Sequence, residues 1–248
     1  MTMHNTIQYE PLLVALSYLI SVLGSYTALQ LAIAIPQARG RVAALGWVTG
    51  AAIALGGGAI WSMHFIGMNA ADMGMPVSYD ATLTLASLVM GIVASGIGLY
   101  VVGRGEGSMG KLLMSGVVTG LGVALMHYTG MAAVITPAKI EYDPTLFYGS
   151  LAIAVVAAAV ALWLAFNLRG NLQRFGSAIV MGIAVCGMHY TGMYAVKMTP
   201  TAEPVAAAGI SLPPATMGQG VFAVSAVVLV LLLIFNAWKS QRSVMADL

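Results

Sequence analysis

Three copies of one six-residue motif combine histidine with methionine in this chain. The motif reads MHFIGM at 63–68 and MHYTGM at 126–131 and 188–193, each time inside a long apolar stretch. Imidazole binds zinc, copper, iron and nickel, and thioethers are soft ligands that select Cu(I). The motif therefore predicts a soft-metal site. Its candidate ligands are Met63, His64, Met68, Met126, His127, Met131, Met188, His189 and Met193.

Three cofactors are compatible with these side chains. Three histidines alone satisfy Zn²⁺, but the six methionines then have no role. Haem accepts histidine and methionine as axial ligands, but it needs a wide cleft between helices, and the chain has no CxxCH attachment motif. Copper, as one or more ions and preferably as Cu(I), is therefore favoured over haem and zinc.

Packing is the simpler explanation for any single copy of the motif. A lone histidine in a membrane helix usually hydrogen bonds to a neighbouring helix, and a lone methionine usually fills space. Repetition favours a site, because ionisable side chains within a membrane are costly and indicate function by default. Duplication of an inert histidine would also give three copies, so the packing interpretation stays open.

The motif belongs to a threefold internal repeat. The intervals from His64 to His127 and from His127 to His189 are nearly equal, and a fixed period indicates a repeated structural unit. Each unit is predicted to be a helical hairpin whose second helix carries the motif. Small residues recur at equivalent positions: Gly57, Gly120 and Gly182 before the histidine, and Gly67, Gly130, Gly192, Ala70, Ala133 and Ala195 after it. Because small residues let membrane helices approach closely, we expect the hairpins to surround a pseudo-threefold axis. The histidine and second methionine of each motif then face inwards, and the first methionine reaches a neighbouring helix.

The elements that must position the motifs are membrane-spanning helices. The chain of 248 residues is 60% hydrophobic and 7% charged, whereas about 25% of the residues of a soluble domain are charged. A crossing helix needs about 20 apolar residues. The predicted spans are about 11–34, 43–68, 82–102, 112–135, 146–168, 175–197 and 219–238. The fold class is therefore all-α: a seven-transmembrane helical bundle at 11–238, between an N-terminal segment 1–10 and a tail 239–248.

The distribution of charge predicts the orientation of this bundle. Basic residues cluster in the connections after spans 1, 3 and 5 and in the tail: Arg39, Arg41, Arg104, Lys111, Arg169, Arg174, Lys239 and Arg242. The opposite side has only Lys139 and Lys197, and most of the acidic residues: Glu10, Asp72, Asp80, Glu141, Asp143 and Glu203, against Glu106 and Asp247. Basic connections stay in the cytoplasm. We therefore expect the N-terminus and the motifs on the outer side and the C-terminus in the cytoplasm.

Other side chains near the motifs have two possible roles each. Tyr128, Thr129, Tyr190 and Thr191 are candidates for hydrogen bonds around the ligands, but the first copy has Phe65 and Ile66 there. Cys186 lies on the histidine face of its helix, where packing is the favoured role over thiolate ligation. Met73 and Met75, and Met3 with His4, are further soft donors that are more simply read as loop residues.

The tripled motif in a seven-span chain resembles the MHYT-domain family of bacterial membrane sensors. The resemblance covers about residues 8–240. It implies one or two copper ions bound by the nine motif Met and His residues, sensing of a diatomic gas (O₂, NO or CO), and a location in the bacterial inner membrane. It also implies a cytoplasmic output partner, typically a GGDEF or EAL domain that makes or breaks cyclic di-GMP. The first copy, MHFIGM, departs from the family pattern by lacking the Tyr and Thr.

Three functions follow from the sequence, and sensing is favoured. A copper or solute transporter is the alternative, although the inner halves of the motif helices are mainly Gly, Ala, Val and Leu, and the polar motif residues cluster at the outer end. An enzyme is not expected, because no Ser/His/Asp set, paired carboxylates or HExxH motif is present. The net charge of +2 does not indicate a nucleic-acid partner. The lipid bilayer is the expected environment, a homodimer is left open, and the chain is expected to act through an output domain or partner outside it.

Overall fold

The computed structural model describes residues 7–104, 108–167, 170–201 and 210–246. Seven helices in these ranges are long and apolar enough to cross a membrane, which confirms the predicted all-α bundle. They are α1 Pro11–Gln37, α2 Arg41–Ala70, α3 Ala81–Arg104, α4 Met109–Ala132, α5 Pro144–Asn167, α6 Asn171–Tyr194 and α7 Pro214–Ala246. Met3, His4, Glu106, Arg169, Glu203 and Asp247, which the sequence analysis used, and the side chain of Arg242 lie outside the described residues.

Short β-strands occupy one end of the bundle, where the sequence predicted only loops. They are β1 Gln8–Tyr9, β2 Ala71–Asp72, β3 Ser78–Asp80, β4 Val134–Ile135, β5 Ala138–Tyr142, β6 Val196–Pro200 and β7 Ser211–Leu212. Antiparallel pairs form between β1 and β2, β3 and β4, and β5 and β6, and β7 joins the free edge of β3. The repeated unit is therefore strand–helix–helix–strand, with its first and last strands paired.

An acidic residue joins the strands to the helices in each unit. The backbone N–H of Glu10, Asp80 and Asp143 donates to the carbonyl of Ala70, Ala133 and Ala195 at 2.9, 2.8 and 2.7 Å respectively. The carboxylates then accept from backbone N–H groups in the first turn of α1, α3 and α5. Such caps satisfy N–H groups that a helix leaves without an internal partner. These acids, which the sequence analysis used only for orientation, thus close each repeat.

The first six helices form a ring around a pseudo-threefold axis. Each motif helix packs on the next odd helix, so α2 contacts α3, α4 contacts α5 and α6 contacts α1. Glycine makes these crossings close: a Cβ at Gly120 would lie 2.5 Å from the Cα of Val155, and one at Gly182 would lie 2.7 Å from Val22. The sequence analysis predicted this role for the repeated glycines, and in α4 and α6 the prediction is confirmed.

The equivalent glycine of α2 is Gly56, so the prediction of Gly57 was wrong. A Cβ at Gly56 would overlap the backbone of Gly91 in α3, whereas one at Gly57 would only touch Leu88 at 3.4 Å. The cause is a π-helical segment of α2 from Ile53 to Trp61. Its wider turns contain more residues than an α-helical turn, so the contact face falls one residue earlier in the chain.

The seventh helix, α7, lies outside the ring, as expected from its place outside the repeat. It packs on α1 and α2. Leu229 covers Gly58, and Ser225 hydrogen bonds to Ser62 at 2.5 Å in the buried interface. Ser62 is two residues before His64, so α7 contacts the bundle close to the first motif.

The two ends of the bundle differ in charge. We call the end with the β-strands the motif end and the opposite end the basic end. All described carboxylates lie at the motif end: Glu10, Asp72, Asp80, Glu141 and Asp143. The described cations of the basic end are Arg39, Arg41, Arg104, Lys111, Arg174 and Lys239. This separation of charge is the basis of the predicted orientation. The location of the basic end in the cytoplasm stays a prediction.

Candidate metal centre

The three motif histidines meet on the axis of the ring. The Nδ1 atom of His64 lies 3.1 Å from Nδ1 of His189 and 3.1 Å from Nδ1 of His127, and the third side of the triangle is 3.4 Å. The three side chains are at most 1% exposed. Each comes from a different motif helix, so the threefold arrangement of α2, α4 and α6 brings them together. Among the described residues, they form the one cluster of His, Cys, Asp or Glu with metal-ligand geometry.

Hydrogen bonds alone cannot satisfy this triangle. The Nδ1 atom of a neutral imidazole either donates or accepts, according to the tautomer. Among three such atoms at least two are of the same kind, so at least one side of the triangle pairs two donors or two acceptors. Leaving buried polar groups unpaired is costly. A cation at the centre would bind all three lone pairs at once.

The size of the triangle fits a metal ion. A point equidistant from the three Nδ1 atoms lies about 1.9 Å from each, close to the roughly 2.0–2.1 Å of zinc–imidazole bonds. The donor set, three neutral nitrogens in an apolar core, suits zinc, copper, iron and nickel.

The Nε2 atom of each histidine lies against a glycine of the next motif. A Cβ at Gly67 would be 2.6 Å from Nε2 of His189, and a Cβ at Gly192 would be 2.5 Å from Nε2 of His127. The same collision would occur between Gly130 and His64. The second glycine of the motif therefore makes room for a neighbouring imidazole, a role more specific than the helix approach that the sequence predicted.

The three Nε2 atoms are buried and have no hydrogen-bond partner among the described residues. When Nδ1 binds a metal, Nε2 carries the proton of the neutral ring. The motif glycines then enclose the three Nε2–H groups. These glycine contacts fix which edge of each imidazole faces the axis.

Aromatic rings form a layer between the histidines and the strands. Each histidine contacts the following motif residue edge to face, with centroid distances of 4.6 Å to Phe65, 4.8 Å to Tyr128 and 4.8 Å to Tyr190. These rings in turn contact three strand tyrosines edge to face: Tyr79 on Phe65, Tyr142 on Tyr128 and Tyr9 on Tyr190. Each strand tyrosine belongs to the repeat after that of its partner, in cyclic order.

The strand tyrosines were missed by the sequence analysis, although the chain contains a signal for them. Each lies directly before the capping acid, in the pairs YE at 9–10 and YD at 79–80 and 142–143. Burial raises the pKa of Tyr9 and Tyr79 above the ordinary range and that of Tyr142 to about 12. The three phenols are therefore neutral at physiological pH, and they cover the motif end of the site with uncharged rings.

The motif tyrosines hydrogen bond to serines of the odd helices. Tyr128 pairs with Ser150 at 2.6 Å and Tyr190 with Ser17 at 3.1 Å. The equivalent serine of α3 is Ser87, which accepts a hydrogen bond from the indole of Trp61 at 3.1 Å instead. The indole of Trp61 thus takes the place of the hydroxyl that Phe65 lacks, and the hydroxyls of Tyr128 and Tyr190 bond to serines and not to the histidines.

Methionines surround the histidines in the core. All six motif methionines are at most 2% exposed. Met126 lies beside Gly91 of α3, as expected for the first methionine of a motif, and Thr129 donates to the sulfur of Met90 at 3.5 Å. Met188 lines a small apolar cavity of about 40 Å³ on the basic-end side of the histidines. Binding of metal by the motif methionines stays a prediction.

Among the described residues, Cys186 is not part of the histidine cluster. Cys186 is half-buried, and Tyr190 lies closer to the site on the same helix. Met73 is buried in the core below β2, and Met75 is half-buried. Met73 therefore does not present its sulfur to the solvent as a first acceptor of metal would.

Comparison with known proteins explains the repeat. The family described as MHYT, bacterial signalling protein N-terminal repeat, matches residues 1–45, 57–115, 120–178 and 182–246, which together make up most of the chain. The chain belongs to the MHYT family. Membership of a family that is described as a repeat accounts for the repeated hairpins and for the resemblance of the motifs.

Relatives of this MHYT chain are signalling proteins. It is 41% identical over 238 residues to the bifunctional diguanylate cyclase/cyclic di-GMP phosphodiesterase MucR of Pseudomonas aeruginosa, covering 94% of the chain and 34% of MucR. It is 38% identical to the signaling protein YkoW of Bacillus subtilis, covering 79% of the chain and 25% of YkoW. It is 34% identical to the cyclic di-GMP phosphodiesterase NbdA of P. aeruginosa, covering 77% of the chain and 25% of NbdA. The chain thus spans a quarter to a third of these relatives. No solved structure matches it significantly.

Proposed function

We propose that this chain is the membrane sensor module of a bacterial signalling system and that its three motif histidines hold one copper ion. The triangle of Nδ1 atoms carries the proposal, because three buried nitrogens at 3.1–3.4 Å have no consistent hydrogen-bond pattern without a cation. Copper is favoured over zinc because the six buried motif methionines give the site soft surroundings.

The glycines and aromatic rings around the histidines make this site suitable for a small ligand. A bound copper ion would supply redox chemistry and a free coordination position for a diatomic gas such as O₂, NO or CO. The glycine contacts at Nε2 hold the rings in register, and the aromatic layer excludes bulk water. A buried site surrounded by uncharged side chains admits a small neutral molecule more readily than a hydrated ion.

The signal would leave the site through the helices. A ligand can shift a conformational equilibrium only if it binds the two states with different affinity. Each histidine belongs to a different motif helix, so the histidine cluster connects the positions of α2, α4 and α6. Ser62, two residues before His64, hydrogen bonds to Ser225 of α7. Helix α7 extends to the basic end and is the natural connection to a cytoplasmic output.

Cyclic di-GMP turnover is the proposed output. Two of the relatives are named as enzymes of cyclic di-GMP metabolism, and this chain matches only a quarter to a third of their length. Catalysis would therefore reside in a GGDEF- or EAL-type domain or partner, with this module in the inner membrane and its motif end outside. Transport is less favoured, because the cavity next to the histidines is lined almost entirely by apolar side chains.

The metal content of purified protein tests this proposal. We expect near-stoichiometric copper in the wild type and loss of most of it when His64, His127 and His189 are all replaced by alanine. The matched control is His4→Ala, which removes the remaining histidine of the chain and should leave the copper content unchanged. Equal copper in the triple variant and the wild type would refute the site, and stoichiometric zinc in place of copper would refute the choice of metal.

A further inference from the structure

A second site lies at the basic end, far from the histidines. A cleft of about 520 Å³ opens there between the end of α1, the start of α2, the start of α6 and the end of α7. Its walls include two cations, Arg174 and Lys239, together with the indole of Trp47. Side-chain amides of glutamine and asparagine supply the other polar groups of the lining. None of the nine motif Met and His residues lines this cleft.

The two cations of the cleft lack a described counter-charge. No carboxylate is among the described lining residues, and both described ion pairs are at the motif end. Arg174 donates through Nη1 to Gln30 and Asn171, at 3.0 Å each, which orients the guanidinium. Its Nε–H is buried without an acceptor among the described residues. The guanidinium therefore keeps its full positive charge for an anion.

Lys239, which lines the same cleft as Arg174, is held by aromatic rings. Its ammonium lies 4.1 Å from the centre of the Trp47 ring, a cation–π contact that fixes a flexible side chain without neutralising it. Helix α6 adds the partial positive charge of its N-terminus, which begins at Asn171 without a side-chain cap. A phosphate group would bind favourably in a concave cleft that is lined by two oriented cations and a helix N-terminus.

The position of the cleft indicates the source of the phosphate. It opens where the apolar spans end, at the depth of lipid headgroups. The adjacent surface of α7 is apolar and exposed at Leu231, Ile234 and Phe235, where the chains of a lipid would lie. Basic pockets between membrane helices at this depth bind anionic headgroups. We infer that the cleft binds the headgroup phosphate of an anionic phospholipid, which links the start of α6 to the end of α7.

This site would make the module sensitive to the membrane around it. Helix α6 carries His189, and α7 is the helix through which the proposed signal leaves the bundle. A lipid bridging their basic ends would restrain the movement of one against the other. The inference does not depend on copper, since none of its residues contacts the histidines.

Lipid retention tests the inference. The full chain is reconstituted in nanodiscs with equal amounts of phosphatidylglycerol and phosphatidylcholine, released into detergent, and its retained lipids are counted by native mass spectrometry. We expect Arg174→Gln and Lys239→Gln each to reduce retained phosphatidylglycerol about fivefold, because each removes a cation that contacts the headgroup inside the cleft. The control Lys111→Gln removes the same charge from the same end but outside the cleft and should behave as wild type.

Two results would overturn the inference. Equal phosphatidylglycerol retention by wild type, Lys239→Gln and Lys111→Gln would show that the cleft does not select the headgroup. Lys239 makes no described hydrogen bond within the fold, so this variant stays informative even if Arg174→Gln disturbs folding. Release of the lipid by inorganic phosphate, but not by sodium chloride of equal ionic strength, would assign the cleft to a soluble phosphate compound instead.

Discussion

The motif residues depend on partners from other repeats. The sequence predicted that the histidines share a face and a depth, because helical periodicity and a fixed period are local signals. It could not predict that Gly130 makes room for His64 or that Tyr79 packs on Phe65, since these pairs come from different repeats. The nitrogen that faces the axis was likewise inaccessible to sequence reasoning, because ring orientation is set by those same contacts.

Gly130→Ala tests the glycine contact at the residue scale. The new methyl group would collide with Nε2 of His64 and push one Nδ1 atom out of the triangle. We expect metal affinity to fall at least about tenfold, as for loss of other groups that orient metal-bound histidines. Isothermal titration with Cu(I) under reducing conditions measures it.

The matched control for this variant is Gly187→Ala. Gly187 is also in a motif helix, but a Cβ there meets no atom within 4 Å. It should bind copper like the wild type. Equal affinities for the two variants would show that the glycine at position 130 does not hold the imidazole.

The helices and strands follow from the sequence to different degrees. Hydropathy located the first six spans to within four residues at each end, since a membrane helix needs a long apolar run. The seventh helix begins five residues earlier and ends eight residues later than the predicted span 219–238. The strands were missed because most contain two or three residues, too few for an alternating pattern. The π-helical segment of α2 was missed because its glycine run, Gly56 to Gly58, has no side chains to reveal a changed period.

Asp80 provides the test at the scale of elements. Its carboxylate caps α3 through the N–H of Leu83 at 2.9 Å, and its backbone ties α3 to the end of α4. We expect Asp80→Ala to lower the free energy of unfolding by about 1 kcal/mol, as for other N-cap deletions. Denaturation in mixed micelles with SDS measures the change.

Asp80→Asn is the isosteric control, because asparagine caps helices about as well as aspartate. It should unfold close to the wild type. An asparagine variant as unstable as the alanine variant would mean that the charge of Asp80 matters and the cap does not.

The whole molecule is a ring of three repeats with a seventh helix at its side. The repeat period predicted the pseudo-threefold axis, and family membership explains it. The layer of strands and tyrosines at the motif end and the polar cleft at the basic end became visible only in three dimensions, because each combines residues from distant repeats. Together they place a buried cluster of three histidines at one end of the bundle and a charged cleft, next to α7, at the other.

X-ray absorption spectroscopy of the copper-loaded protein tests the central claim most directly. We expect one copper ion per chain with three nitrogen ligands at about 2.0 Å, together with the imidazole scattering pattern of histidine. Loss of that pattern is expected in the variant that lacks all three motif histidines. Copper bound without imidazole nitrogen, or the same spectrum in wild type and variant, would contradict the account.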